Sequence, residues 1–243
     1  MSIYINQNIA CGSGTGSTSC VSWYTWFATT PIIGNFLVLY LASIDNLSIN
    51  SITSPSFGTA IYNWTNNYNS LDAGCNIYIY SLPVTNNLSQ IQINLNSGDN
   101  NFYSVIDEVQ GVSGVFDVQN DQQGVGSIYN TGLTSAVTGN NEYWVNVYAW
   151  KNTSKDAIGT SPTNGYTIIQ KDTTWSMKNE NPVTFNSTGW NGTGVGSHIN
   201  AHAGIIIAKQ IKTGIGSNVH AGCSIQDING TASNWNALAL TIK

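Results

Sequence analysis

Imidazole is the commonest side-chain ligand for transition metals, and this chain has three: His198, His202 and His220. His198 and His202 stand four residues apart. On a helix that spacing would place two ligands one turn apart, with His220 as a third. On an extended segment, a rise of about 3.3 Å per residue sets them roughly 13 Å apart, too far to share one ion. The segment around them reads as a strand, which disfavours a metal site, and no cofactor is expected. Asp107 and Glu108 are the one adjacent acid pair. In a strand they point to opposite faces and cannot act as the opposed carboxyls of a glycosidase, which need a separation of about 5–10 Å across a substrate. One is expected in solvent and the other hydrogen-bonded inside. No Gly-x-Ser-x-Gly stands beside a suitable His and Asp, and no Gly-rich loop ends in Gly-Lys-Ser/Thr. With no catalytic signature, the expectation is a protein that is not an enzyme.

Aromatic and sulfur side chains are the other reactive or adhesive groups. The chain holds 8 Trp and 12 Tyr, more than one core usually consumes. Trp144, Tyr148 and Trp150, or Tyr78 and Tyr80, fall on one side of an alternating strand and could form an outward platform. Burial on both sides is the first reading, a subunit contact the second and a sugar-stacking platform the third. None of the four cysteines, Cys11, Cys20, Cys75 and Cys223, falls in a CxxC or a zinc-like spacing. Cys11 and Cys20 bracket a Gly- and Ser-rich stretch; a disulfide closing it and a pair of thiols are equally open. Cys75 faces the same way as Ile77 and Ile79, which predicts a buried thiol.

Charge sets the setting in which these groups work. There is no Arg, and 7 Lys with 12 acidic residues give a net charge of −5 and only 8% charged residues, against about a quarter in an ordinary soluble domain. Asn, Ser, Thr and Gly must therefore build the wet surface. Without a basic stripe, binding to nucleic acid or to anionic membranes is not expected. So few ionisable groups predict a stability nearly flat between about pH 3 and pH 8. The most apolar run, Phe36 to Ala42, is far short of the roughly twenty residues of a membrane-spanning helix. Residues Met1 to Asn8 lack the pattern of a secretory signal; either export does not use that route or a leader lies outside this sequence.

The elements that would position these residues read as strands throughout. Short segments rich in Ile, Val, Tyr and Trp alternate with Asn- and Gly-rich turns, from Ser2–Ile9 through Asn35–Ser43, Gly74–Leu82, Tyr103–Val109, Glu142–Lys151 and His198–Ile211 to Asn234–Lys243. Neither face of Phe36–Ala42 is polar, which predicts a central strand. Glu142–Trp150 is bulky on both sides and is expected to be covered on each or to await a partner. Three polar stretches, Gly111–Gly139, Asn152–Asn164 and Thr173–Gly196, read as excursions. The fold expected is an all-β, two-sheet antiparallel β-sandwich: an N-terminal strand and Cys-bracketed segment over 1–20, then a single domain over 21–243.

Read in order, several strands carry a likeness. Gly34-Asn35-Phe36-Leu37-Val38-Leu39-Tyr40, Asn76-Ile77-Tyr78-Ile79-Tyr80, Ile91-Gln92-Ile93-Asn94-Leu95, Val105–Val112 and Ser233–Leu240 resemble successive strands of a jelly-roll-like β-sandwich domain of phage and other virion structural proteins and of large secreted bacterial proteins. The resemblance spans Val21 to Lys243 and departs at 175–200 and at the N-terminal cysteine loop. It implies a structural or adhesive role and carries over no catalytic residue. The expectations are a capsid decoration, spike or fibre component at a virion surface, partnered by itself or by other virion subunits. The alternatives are an extracellular filament subunit or adhesin using N-terminal strand exchange, and a carbohydrate-binding module partnered by surface glycans.

Overall fold

The computed structural model describes residues 3–11, 22–27, 29–43, 47–56, 60–70, 76–96, 102–152, 167–173, 185–186, 189–190, 202–216, 218–226 and 233–243. Strands run in the order β1 (Tyr4–Cys11), β2 (Ser22–Trp26), β3 (Phe36–Ser43), β4 (Ile49–Pro55), β5 (Ile61–Asn63) and β6 (Thr65–Ser70). There follow β7 (Asn76–Pro83), β8 (Gln90–Leu95), β9 (Phe102–Gln110), β10 (Phe116–Gly126), β11 (Ile128–Asn130) and β12 (Asn141–Asn152). The last six are β13 (Thr167–Thr173), β14 (Phe185–Asn186), β15 (Gly189–Trp190), β16 (His202–Thr213), β17 (Ser224–Gln226) and β18 (Ser233–Ile242). No helix occurs among the described residues.

Two five-stranded antiparallel sheets form the expected sandwich, one in the order β1-β9-β3-β7-β6 and the other β10-β18-β12-β16-β13. Between them lies a core of Val38, Tyr40, Ile77, Ile79, Val105, Val109, Tyr143, Val145, Val147, Leu238 and Leu240. Each sheet is also covered on its outer face. The four-stranded sheet β2-β8-β4-β5 packs Ile52, Ile91, Ile93 and Leu95 against Leu37, Leu39, Leu41, Tyr78 and Leu82. On the far side, the β11-β17 ribbon and its flanks bring Tyr129, Val137, Ala221, Cys223 and Ile225 onto Trp144, Tyr148, Trp150 and Trp235.

This layering explains the sequence of the inner strands. β3 is buried at all eight positions because its even residues enter one core and its odd residues another, so alternation of polarity disappears. β12 does the same with Tyr143, Val145, Val147 and Ala149 on one side and Trp144, Tyr148 and Trp150 on the other. It is covered on both faces, the first of the two outcomes expected for it. β8, by contrast, keeps its alternation, with Ile91, Ile93 and Leu95 buried and the Gln and Asn between them half-exposed.

The excursion expected over Gly111–Gly139 is corrected by the structure: β10, 11 residues long, lies within it. β10 pairs antiparallel with β18 from Phe116↔Ile242 to Gly126↔Ser233 and has no second strand beside it among the described residues. An edge strand with one neighbour needs backbone bonds more than apolar side chains, so a run of Asp, Asn and Gln suffices. Its Gly124 has a packing reason: a Cβ there would stand 2.7 Å from the Trp235 ring, which lies across the glycine. The excursions expected at 152–164 and 173–196 fall largely outside the described residues, apart from the short pair β14 and β15.

Candidate functional site

Four polar side chains meet in the central core. Asp107 on β9 and Tyr40 on β3 come from one sheet; Lys209 on β16 and Tyr143 on β12 come from the other. Lys209 Nζ is ion-paired with Asp107 Oδ1, and the Tyr143 hydroxyl donates to Asp107 Oδ2 at 2.7 Å. The ammonium also stands 5.9 Å from the centre of the Tyr40 ring. The Tyr40 hydroxyl feels both Asp107 and Tyr143, although it makes no hydrogen bond of good geometry. None of the four is more than 2% exposed.

The electrostatics follow from that burial. Removal from water pulls the Lys209 ammonium below its ordinary pKa, with the Asp107 charge and hydrogen bond opposing part of the shift. Burial first, and the neighbouring Asp107 charge second, push both Tyr40 and Tyr143 well above the usual phenol range. Both phenols therefore keep their protons, and that of Tyr143 is donated to Asp107. An amine, a carboxyl and two phenols are thus held together, sealed from solvent, between the two central sheets.

Two further acid sites are structural. Glu108 lies on the opposite face of β9 and accepts from Ile32 N at 2.7 Å and Asn35 Nδ2 at 2.5 Å. Asp107 and Glu108 thus face apart as expected, but both are fully buried, which corrects the expectation that one lies in solvent. The reason is the double covering of the sheet, which leaves β9 no wet face. At the C-terminal end of β18, Asp117 accepts from Thr138 N and Oγ1, each at 2.6 Å, and pairs with Lys243 Nζ at 2.7 Å. Buried Glu142 accepts from Gly139 N and Trp144 Nε1 close by.

The five aromatic residues considered for an outward platform are all buried. Trp144 donates to Glu142 Oε2 at 3.0 Å, Tyr148 to the carbonyl of Cys223 at 2.9 Å, and Trp150 stacks on Tyr129 with ring centres 6.1 Å apart. Tyr78 accepts from Leu47 N, and Tyr80 packs in the same core between the sheets. Two-sided burial, not an exposed stripe, is their state. Of the histidines, His220 Nδ1 bonds the Thr134 carbonyl at 2.7 Å; His202 begins β16 opposite Asn152; His198 lies outside the described residues. Among the described residues no cluster of three His, Cys, Asp or Glu could hold a metal ion. Cys11 ends β1, while Cys20 and Cys75 lie outside the described residues. Cys223 is a buried free thiol, pushed up to about 11 by burial against a smaller opposing bond from Tyr148, so little reactive thiolate forms at neutral pH.

Sequence reasoning singled out Asp107 but missed its partners. The available signal was Lys209 itself, a lone cation in the run Gly204-Ile205-Ile206-Ile207-Ala208-Lys209. No protein-family model matches the chain, and the searches of curated proteins and of solved structures found no similar protein.

Proposed function

We propose that the chain is a non-enzymatic structural subunit of a virus or phage particle, a capsid decoration, spike or fibre component of jelly-roll-like type that works by self-association. The observation that carries this reading is the β10 edge: eleven residues with one neighbour among the described residues, neither Lys nor Pro along them, and Asp121 as the one exposed charge. Soluble proteins usually blunt such edges with those residues, because unpaired backbone groups recruit another strand. The Gln- and Asn-rich content of β10 also favours ladders between adjacent copies. A surface of uncharged polar groups adds little repulsion between subunits.

Light scattering and electron microscopy of the concentrated chain test it. A defined oligomer or polymer is expected, and the double substitution Gln123→Lys, Val125→Lys should disperse it without altering the β circular dichroism. A monodisperse wild-type monomer at high concentration would refute the proposal.

A second reading, an extracellular filament subunit or adhesin exchanging its N-terminal strand, is favoured by one feature. β1 stands at a sheet edge and, among the described residues, is held by β9 alone, which is the position a donated strand from another copy would occupy. Deleting residues 1–20 would then abolish polymers and leave the remaining sheets folded; polymers that persist would remove this reading in favour of the β10 edge.

A further inference from the structure

We infer that Lys209 and Asp107 are the two halves of an intramolecular amide cross-link that joins the two central sheets. The chain has seven cations, and one of them is placed, with an acid from 102 residues away, at the centre of an apolar core. A buried ion pair is weak grounds for stability, since losing hydration costs several kcal/mol per ion and well-packed apolar residues often do as well. A covalent bond at the same place is different in kind: it would tie β9 in one sheet to β16 in the other.

The geometry supplies what condensation needs. Nζ is held against the carboxyl in a rigid core, and such positioning is worth effective molarities on the order of 10⁵–10⁸ M. Burial lowers the affinity of the amine for its proton, the usual route to a nucleophilic lysine. The proton passes from Nζ to Oδ1, leaving a neutral amine beside a neutral carboxylic acid. The Nζ lone pair attacks Cγ and the Nζ–Cγ bond forms. Oδ2 becomes the oxyanion, stabilised by the Tyr143 hydroxyl that already donates to it. The Cγ–Oδ1 bond then breaks, and Oδ1 leaves as water with its own proton and one from Nζ. The sum is amine plus acid to amide plus water, with no oxidant, reductant or activating group. Tyr40, beside the pair with its proton retained by burial, is the second phenol of the site.

The test needs only the full chain, folded, then denatured for intact-mass measurement, and is independent of whether the protein assembles. The expected result is a mass below that of the sequence by one water, with a proteolytic digest yielding a branched peptide that joins Asp107 to Lys209. Lys209→Met should restore the sequence mass. A folded wild-type chain at full sequence mass would overturn the inference. So would a one-water deficit located elsewhere, such as a cyclised aspartate, with Asp107 and Lys209 recovered on separate unmodified peptides.

Discussion

Asp117 shows how a chain with few charges can still respond to acid. Burial alone would raise its pKa, but the bonds from Lys243 and from the hydroxyl and N–H of Thr138 outweigh it and hold the carboxyl well below the ordinary range. A folded pKa below the unfolded one contributes stability that is present above the unfolded value and is lost as pH falls beneath it. Glu142 has the opposite sign: burial, then its contact with Asp117, raises its pKa, so its contribution is present at low pH and is lost as pH rises through the raised value. Melting temperature should therefore drop between about pH 5 and pH 2 in the wild type, and Asp117→Asn should flatten that limb; parallel curves would show that Asp117 does not control it. The flat profile expected from composition is thereby revised on its acid side. Glu108 makes a related case. Glu108→Ala leaves the buried Asn35 amide and the part-buried Ile32 N–H without this acceptor, at about 1–3 kcal/mol for the buried donor and less for the other, measurable as a lower urea midpoint at unchanged m-value. That Asp107 and Glu108 face apart was legible from their adjacency; that neither reaches water was not, because adjacency in a strand carries no information on how many layers lie above and below it.

At the scale of elements, legibility followed apolar content. β3 and β12 stood out because a strand buried on both faces must be apolar or bulky at nearly every position, and Phe36–Ala42 and Tyr143–Trp150 are. β10 was invisible for the complementary reason: it borrows its order from the backbone of β18, and the large ring that packs on it, Trp235, lies on the other strand. The β11-β17 cover was also hidden, since it consists of two three-residue strands held by side-chain bonds such as Cys223 N to Thr131 Oγ1 and Thr131 Oγ1 to Asn146 Oδ1, both 3.1 Å. Its close approach depends on Gly222. This residue has φ +143°, and a Cβ would stand 2.0 Å from the Gly132 carbonyl oxygen, so neither conformation nor space admits a side chain. Gly222→Ala should destabilise by about 1–3 kcal/mol or more from backbone strain and displaced packing. It should also lift the cover, detected as increased quenching of Trp150 and Trp235 fluorescence; unaltered quenching would mean that the ribbon adapts.

The stack of layers governs how the whole molecule opens. A strand exchanges its amide hydrogens by the cheapest route that exposes them: local fraying at an edge, but breakage of several layers for a strand enclosed by two neighbours and two cores. β3 lies between β9 and β7 with cores on both faces, and β12 lies between β16 and β18 with cores on both faces. β1 and β10 each have a single neighbour among the described residues. If the four layers fold as one cooperative unit, amides of β3 and β12 exchange together with the free energy of global unfolding, while those of β10 exchange sooner in the isolated chain. Assembly through the β10 edge should then raise protection in β10 selectively and leave β3 and β12 unchanged, because only the edge gains hydrogen bonds. Hydrogen exchange read by mass spectrometry at low and high protein concentration distinguishes these cases. Equal gains across all strands would mean that assembly stabilises the subunit as a whole, and no gain in β10 would place the contact on another surface.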